Sequence, residues 1–114
     1  MHQLYNYIEA KERLSTVTVK TKLIHSDVFS EESGNDVYIK PENLQITGSF
    51  KVRGAYNKIS KLTAEEKKRG VIAASAGNHA QGVALAAKRL GIKAVIVMPK
   101  HTPLIKVTPT KPNG

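Results

Sequence analysis

A parallel α/β architecture is the fold class this sequence predicts, and three adjacent segments predict it. Residues 71–74 form an apolar run of strand length, residues 78–90 place Val83, Ala84, Ala87 and Leu90 on one helical face, and residues 94–98 form a second apolar run. Strand, helix, strand in that order is a βαβ unit, whose crossover sets its two strands parallel in one sheet. Their uninterrupted apolar character predicts strands buried on both faces. Gly91 closes the helix and Pro99 stops the second strand.

The elements before this unit follow from local signals. Leu4, Tyr7, Ile8 and Leu14 share one face of a first helix, which ends before the β-branched run 16–21. Leu23 and Ile24 lead into the polar segment SDVFSEESGND, which has a turn signal at Gly34-Asn35-Asp36, and residues 37–40 read as a short strand stopped by Pro41. Residues 42–48 read as a loop, with Ser49 placed to cap the next helix. In that helix Val52, Ala55, Tyr56 and Ile59 mark the apolar face, and Gly54 demands a packing reason, since glycine there costs ~1 kcal/mol against alanine. Thr63 and Glu66 have capping-box spacing over a short charged helix that Gly70 closes. Thr102 and Pro103 are arranged as N-cap and first residue of a last helix, which Pro109 and Pro112 then interrupt. There is no internal repeat and no interdomain linker. Two strands are too few for a covered sheet, so the expectation is the front part of a larger α/β protein.

Composition narrows the function classes. With 114 residues and no cysteine, neither a disulfide framework nor thiolate metal chemistry is available. The histidines lack metal-ligand spacing, so no metal site is expected. No apolar run has signal-peptide or membrane-span length, and a soluble cytoplasmic protein is the expectation. The net charge of +9 lies wholly in the second part: residues 1–66 hold nine basic and nine acidic side chains, and residues 67–114 hold nine basic and none acidic. Those nine are spread over helix ends and loops without interleaved aromatics, which argues against a nucleic-acid surface.

Two stretches carry candidate chemistry. In residues 47–55, TGSFKVRGA, Lys51 follows a small-residue turn and sits beside Phe50. A lysine becomes a nucleophile when its amine can lose a proton near neutral pH, and a helix start and an apolar neighbour both favour that. The small residues before it leave room for a flat ring. A solvated surface lysine is the duller alternative and the commoner one for any lysine taken alone. In residues 75–82, SAGNHAQG, the turn lies at the carboxyl end of a parallel strand, where α/β folds bind ligands. Ser75, Ala76, Gly77, Asn78 and His79 lead into a helix whose first N–H groups can face an anion. The alternatives are an ordinary cap at Ser75 or Asn78 and a surface histidine at His79. Neither a GxGxxG dinucleotide fingerprint nor a GxxxxGK[ST] loop is present.

KPENLQITGSFKVRGA followed by SAGNHAQGVALAAKRLG resembles the threonine dehydratase family of fold-type II pyridoxal-phosphate enzymes, which includes serine racemase. The likeness runs from about Thr21 to Val107. It implies the parallel-sheet, three-layer fold of the tryptophan synthase β-like family, incomplete here, with residues of about 1–65 in a large subdomain and about 66–114 in a small one. It implies a Schiff base between Lys51 and pyridoxal 5'-phosphate, with Phe50 beside the ring, and a hydrogen bond from Asn78 to the cofactor's 3-hydroxyl. Ser75, Ala76, Gly77, Asn78 and His79 then bind the substrate carboxylate. The implied reaction deaminates L-threonine to 2-oxobutyrate, and L-serine to pyruvate, in an enzyme that is a homo-oligomer at full length. A racemase of serine and a truncated, non-catalytic remnant are the alternatives.

The sequence departs from the family's pattern in three places. Thr21-Lys22-Leu23 replaces a Thr-Pro-Leu, prolines occupy the segment after Val107, and the glycine-rich phosphate loop and the partner of the pyridine nitrogen have no counterpart. These departures lead to the expectation of an N-terminal portion that is inactive alone.

Overall fold

A computed structural model describes residues 3–113 of the chain. Helix α1 (Leu4–Leu14) has the expected bounds, but its apolar face is not covered: Leu4, Tyr7 and Ile8 are exposed, and Leu14 is the residue it buries. Its C-terminal turn makes the attachment. Leu14 packs with Val17, Val52 and Leu85, and Arg13 Nε donates to Asn57 Oδ1 at 2.9 Å. The β-branched run ends α1 as expected and forms no strand, because Gln45 takes both backbone groups of Val19.

The polar segment, to which the sequence assigns only a turn, contains a helix, α2 (Asp27–Ser33), after strand β1 (Ile24–His25). Ser26 caps it by accepting from the Phe29 N–H, Asp27 lies in its first turn, and Gly34 closes it. It lacks an apolar stripe, and Val28 and Phe29 are both exposed, so periodicity could not reveal it. Strand β2 (Tyr38–Ile39), shorter than the expected 37–40, pairs antiparallel with β1, setting Ile24 opposite Ile39.

Helix α3 (Lys51–Ser60) buries Val52, Ala55 and Ile59, the face its spacing predicts. Helix α4 (Ala64–Arg69) carries the expected capping box. The Thr63 hydroxyl accepts from the Glu66 N–H at 3.3 Å, and the Glu66 carboxylate accepts from the Thr63 N–H at 2.8 Å. Strands β3 (Val71–Ala74) and β4 (Ala94–Val97) are parallel, with Val71 opposite Ala94, and α5 (Asn78–Arg89) forms the crossover.

Burial of this sheet differs from expectation. Val71, Ala73, Ala94 and Ile96 pack against α5 and its neighbours, whereas Ile72 is 73% exposed, Val95 47% and Val97 51%. Among the described residues the sheet is covered on one side only. Helix α5 lies between that side and α3, which is why all of Ala80, Gln81, Gly82, Val83, Ala84, Leu85, Ala86 and Ala87 are buried. Its small side chains let two layers approach it from different directions. The last helix, α6 (Leu104–Val107), is capped at Pro103 and not at Thr102; the Thr102 hydroxyl instead donates back to the Pro99 carbonyl at 2.8 Å. No helix of the described residues is long and apolar enough to cross a membrane.

Candidate active site

The two stretches singled out by sequence lie at the starts of the two helices that pack together. Lys51 is the first residue of α3 and Asn78 the first of α5. Helix α5 touches the start of α3 at Gly82, where a Cβ would come within 3.0 Å of the Lys51 carbonyl carbon and oxygen and 3.1 Å of the Val52 nitrogen. Only glycine permits that approach without moving a backbone. Gly54, expected to have such a reason, has nothing within 4 Å of where its Cβ would be. Of these two helix-interior glycines, the close-packing one is thus the one in α5. Thr47 and Gln81, one from each stretch, line a common cleft of about 300 Å³ with Ile46, Leu85 and Pro109. A larger cleft of about 700 Å³ beside α1 reaches Arg53 and Gly54 but none of Phe50, Lys51 or Ser75 to His79.

The turn before Lys51 is built from short-range hydrogen bonds. Gly48, with φ +67°, donates its N–H to the Gln45 carbonyl at 2.8 Å, and the Thr47 hydroxyl donates to the Ser49 carbonyl at 3.3 Å. Ser49, expected as the helix cap, is one residue early. Phe50 occupies the cap position in helical conformation, though the Ser49 hydroxyl still accepts the Lys51 N–H at 3.4 Å. The Lys51 ammonium lies 4.7 Å from the centre of the Phe50 ring, which is itself 56% exposed. Such a contact is worth about 0.5–1 kcal/mol at an exposed site.

At the second stretch, Ser75 continues the sheet by donating its N–H to the Val97 carbonyl at 3.0 Å. Its hydroxyl accepts from the N–H groups of Gly77 and Ala80, each at 3.3 Å. The serine thereby caps the start of α5 from within, while Ala76 and Gly77 are half-buried and Asn78 and His79 are exposed beside it. Among the described residues no cluster of three His, Asp or Glu side chains could hold a metal ion.

Sequence reasoning missed a polar network behind Lys51. Glu42 receives two hydrogen bonds from Arg53, at 2.6 Å from Nε and 2.9 Å from Nη2, one from the Thr21 hydroxyl at 2.7 Å, and one from Gln45 Nε2 at 3.2 Å. The Glu42 carboxyl is lowered to about 2, first by the Arg53 hydrogen bonds and then by those of Thr21 and Gln45, which together outweigh the effect of burial. Gln45 also donates to the Val19 carbonyl at 2.8 Å and accepts the Val19 N–H at 2.9 Å. Lys40 closes the group by donating to the Thr21 carbonyl at 2.8 Å. Every buried side-chain nitrogen and oxygen of the described residues has a partner.

A parallel βαβ unit with a lysine and a glycine-containing turn at adjoining helix starts defines a class, and comparison with known proteins agrees. The model of the family described as pyridoxal-phosphate dependent enzyme matches residues 14–114, and the chain belongs to that family. The chain is 60% identical over 106 residues to the L-threonine ammonia-lyase of Thermotoga maritima, covering 93% of itself and 26% of that protein. Among solved structures, the processed form of threonine deaminase isoform 2 from Solanum lycopersicum superposes with a TM-score of 0.85 at 44% identity, over 96% of this chain and 31% of that one. Maize serine racemase superposes with a TM-score of 0.90 at 38% identity, over 98% of this chain and 34% of that one. The chain thus spans between a quarter and about a third of the length of these relatives, and its fold is that of a fold-type II pyridoxal-phosphate enzyme over that span.

Proposed function

We propose that this protein acts as an L-threonine dehydratase, converting L-threonine to 2-oxobutyrate and ammonia, with L-serine as a second substrate. The observation that carries the reading is the joining of Lys51 and the Ser75–His79 turn through Gly82, in a chain 60% identical to an L-threonine ammonia-lyase. The side chains present fit pyridoxal phosphate. Lys51 offers an exposed primary amine for its aldehyde, Phe50 an exposed aromatic ring beside that amine, and Asn78 an amide for its 3-hydroxyl. When bound, the cofactor supplies an electron sink for charge developing at the substrate α-carbon.

The chain's own residues have three tasks. The Ser75–His79 turn, at the start of a twelve-residue helix, binds the amino-acid carboxylate with backbone N–H groups and the helix dipole. The Ser75 hydroxyl, by accepting from the Gly77 and Ala80 N–H groups, fixes the shape of the turn before substrate arrives. The Lys51 Nζ removes the α-proton as general base. Loss of the β-hydroxyl as water, followed by addition of water, leaves the 2-oxo acid and ammonia.

The intact protein incubated with L-threonine and pyridoxal phosphate is expected to form 2-oxobutyrate and ammonia in equal amounts. Lys51→Ala should lower that rate by about 10³-fold or more, since it removes a general base whose contribution alone is typically 10²–10⁴. Retention of activity in Lys51→Ala would overturn the assignment. The 0.90 TM-score with maize serine racemase favours racemisation of serine as a second reading. Chiral chromatography of serine after incubation separates the two, because only a racemase accumulates D-serine.

A further inference from the structure

We infer that Glu42 is a positioning residue for Lys51, tethering the first turn of α3 from eleven residues back through Arg53. This rests on the reading of Lys51 given above. Helix α3 begins without the usual devices: its cap residue, Phe50, makes no side-chain cap hydrogen bond, and its first turn contains no acidic residue. It instead carries two cations there, Lys51 and Arg53, at the end of the helix where the dipole disfavours positive charge.

Glu42 supplies from outside what the helix lacks. In a capping box the third helical residue reaches back to the cap. Arg53 is the third residue of α3, and its guanidinium reaches back to both oxygens of Glu42. A fork of that kind fixes direction as well as distance. The carboxylate is in turn held by Thr21 and Gln45, and Gln45 is locked to the Val19 backbone by two hydrogen bonds. Thr21 and Gln45 are both buried, which shields that side of the frame, while Arg53 stays partly exposed to solvent. The next link is a backbone hydrogen bond: the Gly48 N–H donates to the Gln45 carbonyl at 2.8 Å, and three residues later Lys51 opens the helix. One acidic side chain therefore neutralises Arg53, offsets the dipole and sets where α3 starts. Lys51 is left as the cation of that turn without a carboxylate of its own.

The test uses the intact protein and reads where pyridoxal phosphate attaches. Limited reaction followed by borohydride reduction and peptide mass spectrometry gives the ratio of label on Lys51 to label on Lys93, an exposed lysine outside the network. Labelling is read on samples whose circular dichroism and thermal melt show the native state fully populated, so that the ratio reports the placement of Lys51. Glu42→Gln is expected to lower the ratio by about tenfold or more, in keeping with the cost of small misplacements of a reacting group. Glu42→Asp, which keeps the charge, should recover part of that loss. Should Glu42→Gln fail to fold, Thr21→Val removes one donor to the same carboxylate and is expected to lower the ratio about twofold to fivefold. Thr63→Ala, which removes a distant helix cap, should leave it unchanged.

A wild-type ratio in folded Glu42→Gln, or in Thr21→Val where Glu42→Gln does not fold, overturns the positioning role, and so does a fall of similar size in Thr63→Ala. Absence of any preference for Lys51 in the wild-type protein overturns the cofactor-lysine reading itself and the positioning role with it.

Discussion

The two halves of the site are held in place by different physics. The Lys51 turn is fixed by hydrogen bonds and charge, through Glu42, Arg53, Thr21 and Gln45, with Phe50 and Ile46 exposed beside it. The Ser75–His79 turn is closed locally by the Ser75 hydroxyl but is placed in the molecule by shape, because it leads into a helix whose residues 80 to 87 are all buried between α3 and the sheet. A polar frame specifies direction and responds to pH. An apolar one specifies distance and responds to volume. The halves meet at Gly82, where packing of the second delivers its turn to the backbone of the first.

The largest effect should come from that meeting point. Gly82→Val places a branched side chain against the Lys51 and Val52 backbone, and should cost about 3 kcal/mol in denaturant unfolding, toward the upper end of overpacking effects. Activity should fall with it, since the two helix starts must separate. If Gly82→Val unfolds at the wild-type denaturant midpoint, the halves are not joined there.

A second experiment separates the halves by pH. Folding lowers the Glu42 carboxyl from 4.5 to about 2. A depressed pKa contributes stability that is complete above the unfolded value and is lost as pH falls through the folded one. The stability difference between wild type and Glu42→Gln should therefore be constant above pH ~5 and shrink by about 2 kcal/mol by pH ~2. That figure is smaller than the full shift implies, because Arg53 is partly exposed to solvent. Gly82→Val should show no such pH dependence relative to wild type. A Glu42→Gln difference that stays level down to pH ~2 would remove the charge from the account of this half.

The smallest effect tests an element outside both halves. Thr63→Ala breaks the capping box of α4 and should cost about 1 kcal/mol with no change in activity. An equal loss of activity would mean that α4 is coupled to the site.

The contrast between halves also explains what was legible in the sequence. The shape-held half was readable, since its strands, α5 and the α3 face repeat apolar residues at helical or strand spacing. Local signals were readable too, as with the Thr63–Glu66 box, whose partners lie three residues apart. The polar frame was not, because Thr21, Glu42 and Arg53 are separated by 21 and 11 residues and each type is ordinarily found at a surface. Helix α2 escaped for a related reason: it is defined by the Ser26 cap and Gly34, and it buries nothing. Gly54 and Gly82 look alike in sequence, each interrupting a helical pattern, and only the neighbouring helix distinguishes them. The one-sided burial of β3 and β4 was hidden because Ile72, Val95 and Val97 are as apolar as their covered neighbours. Lys51 and Asn78 were singled out by residue type and spacing, and both lie at helix starts.

Whether Lys51 carries the cofactor is decided by a peptide map of the intact protein after saturation with pyridoxal phosphate and borohydride reduction. One covalently attached cofactor per chain is expected, on the peptide containing Lys51, with the visible absorbance of the complex lost in Lys51→Ala. Stoichiometric attachment at another lysine, or an unchanged spectrum in Lys51→Ala, would contradict that role for Lys51.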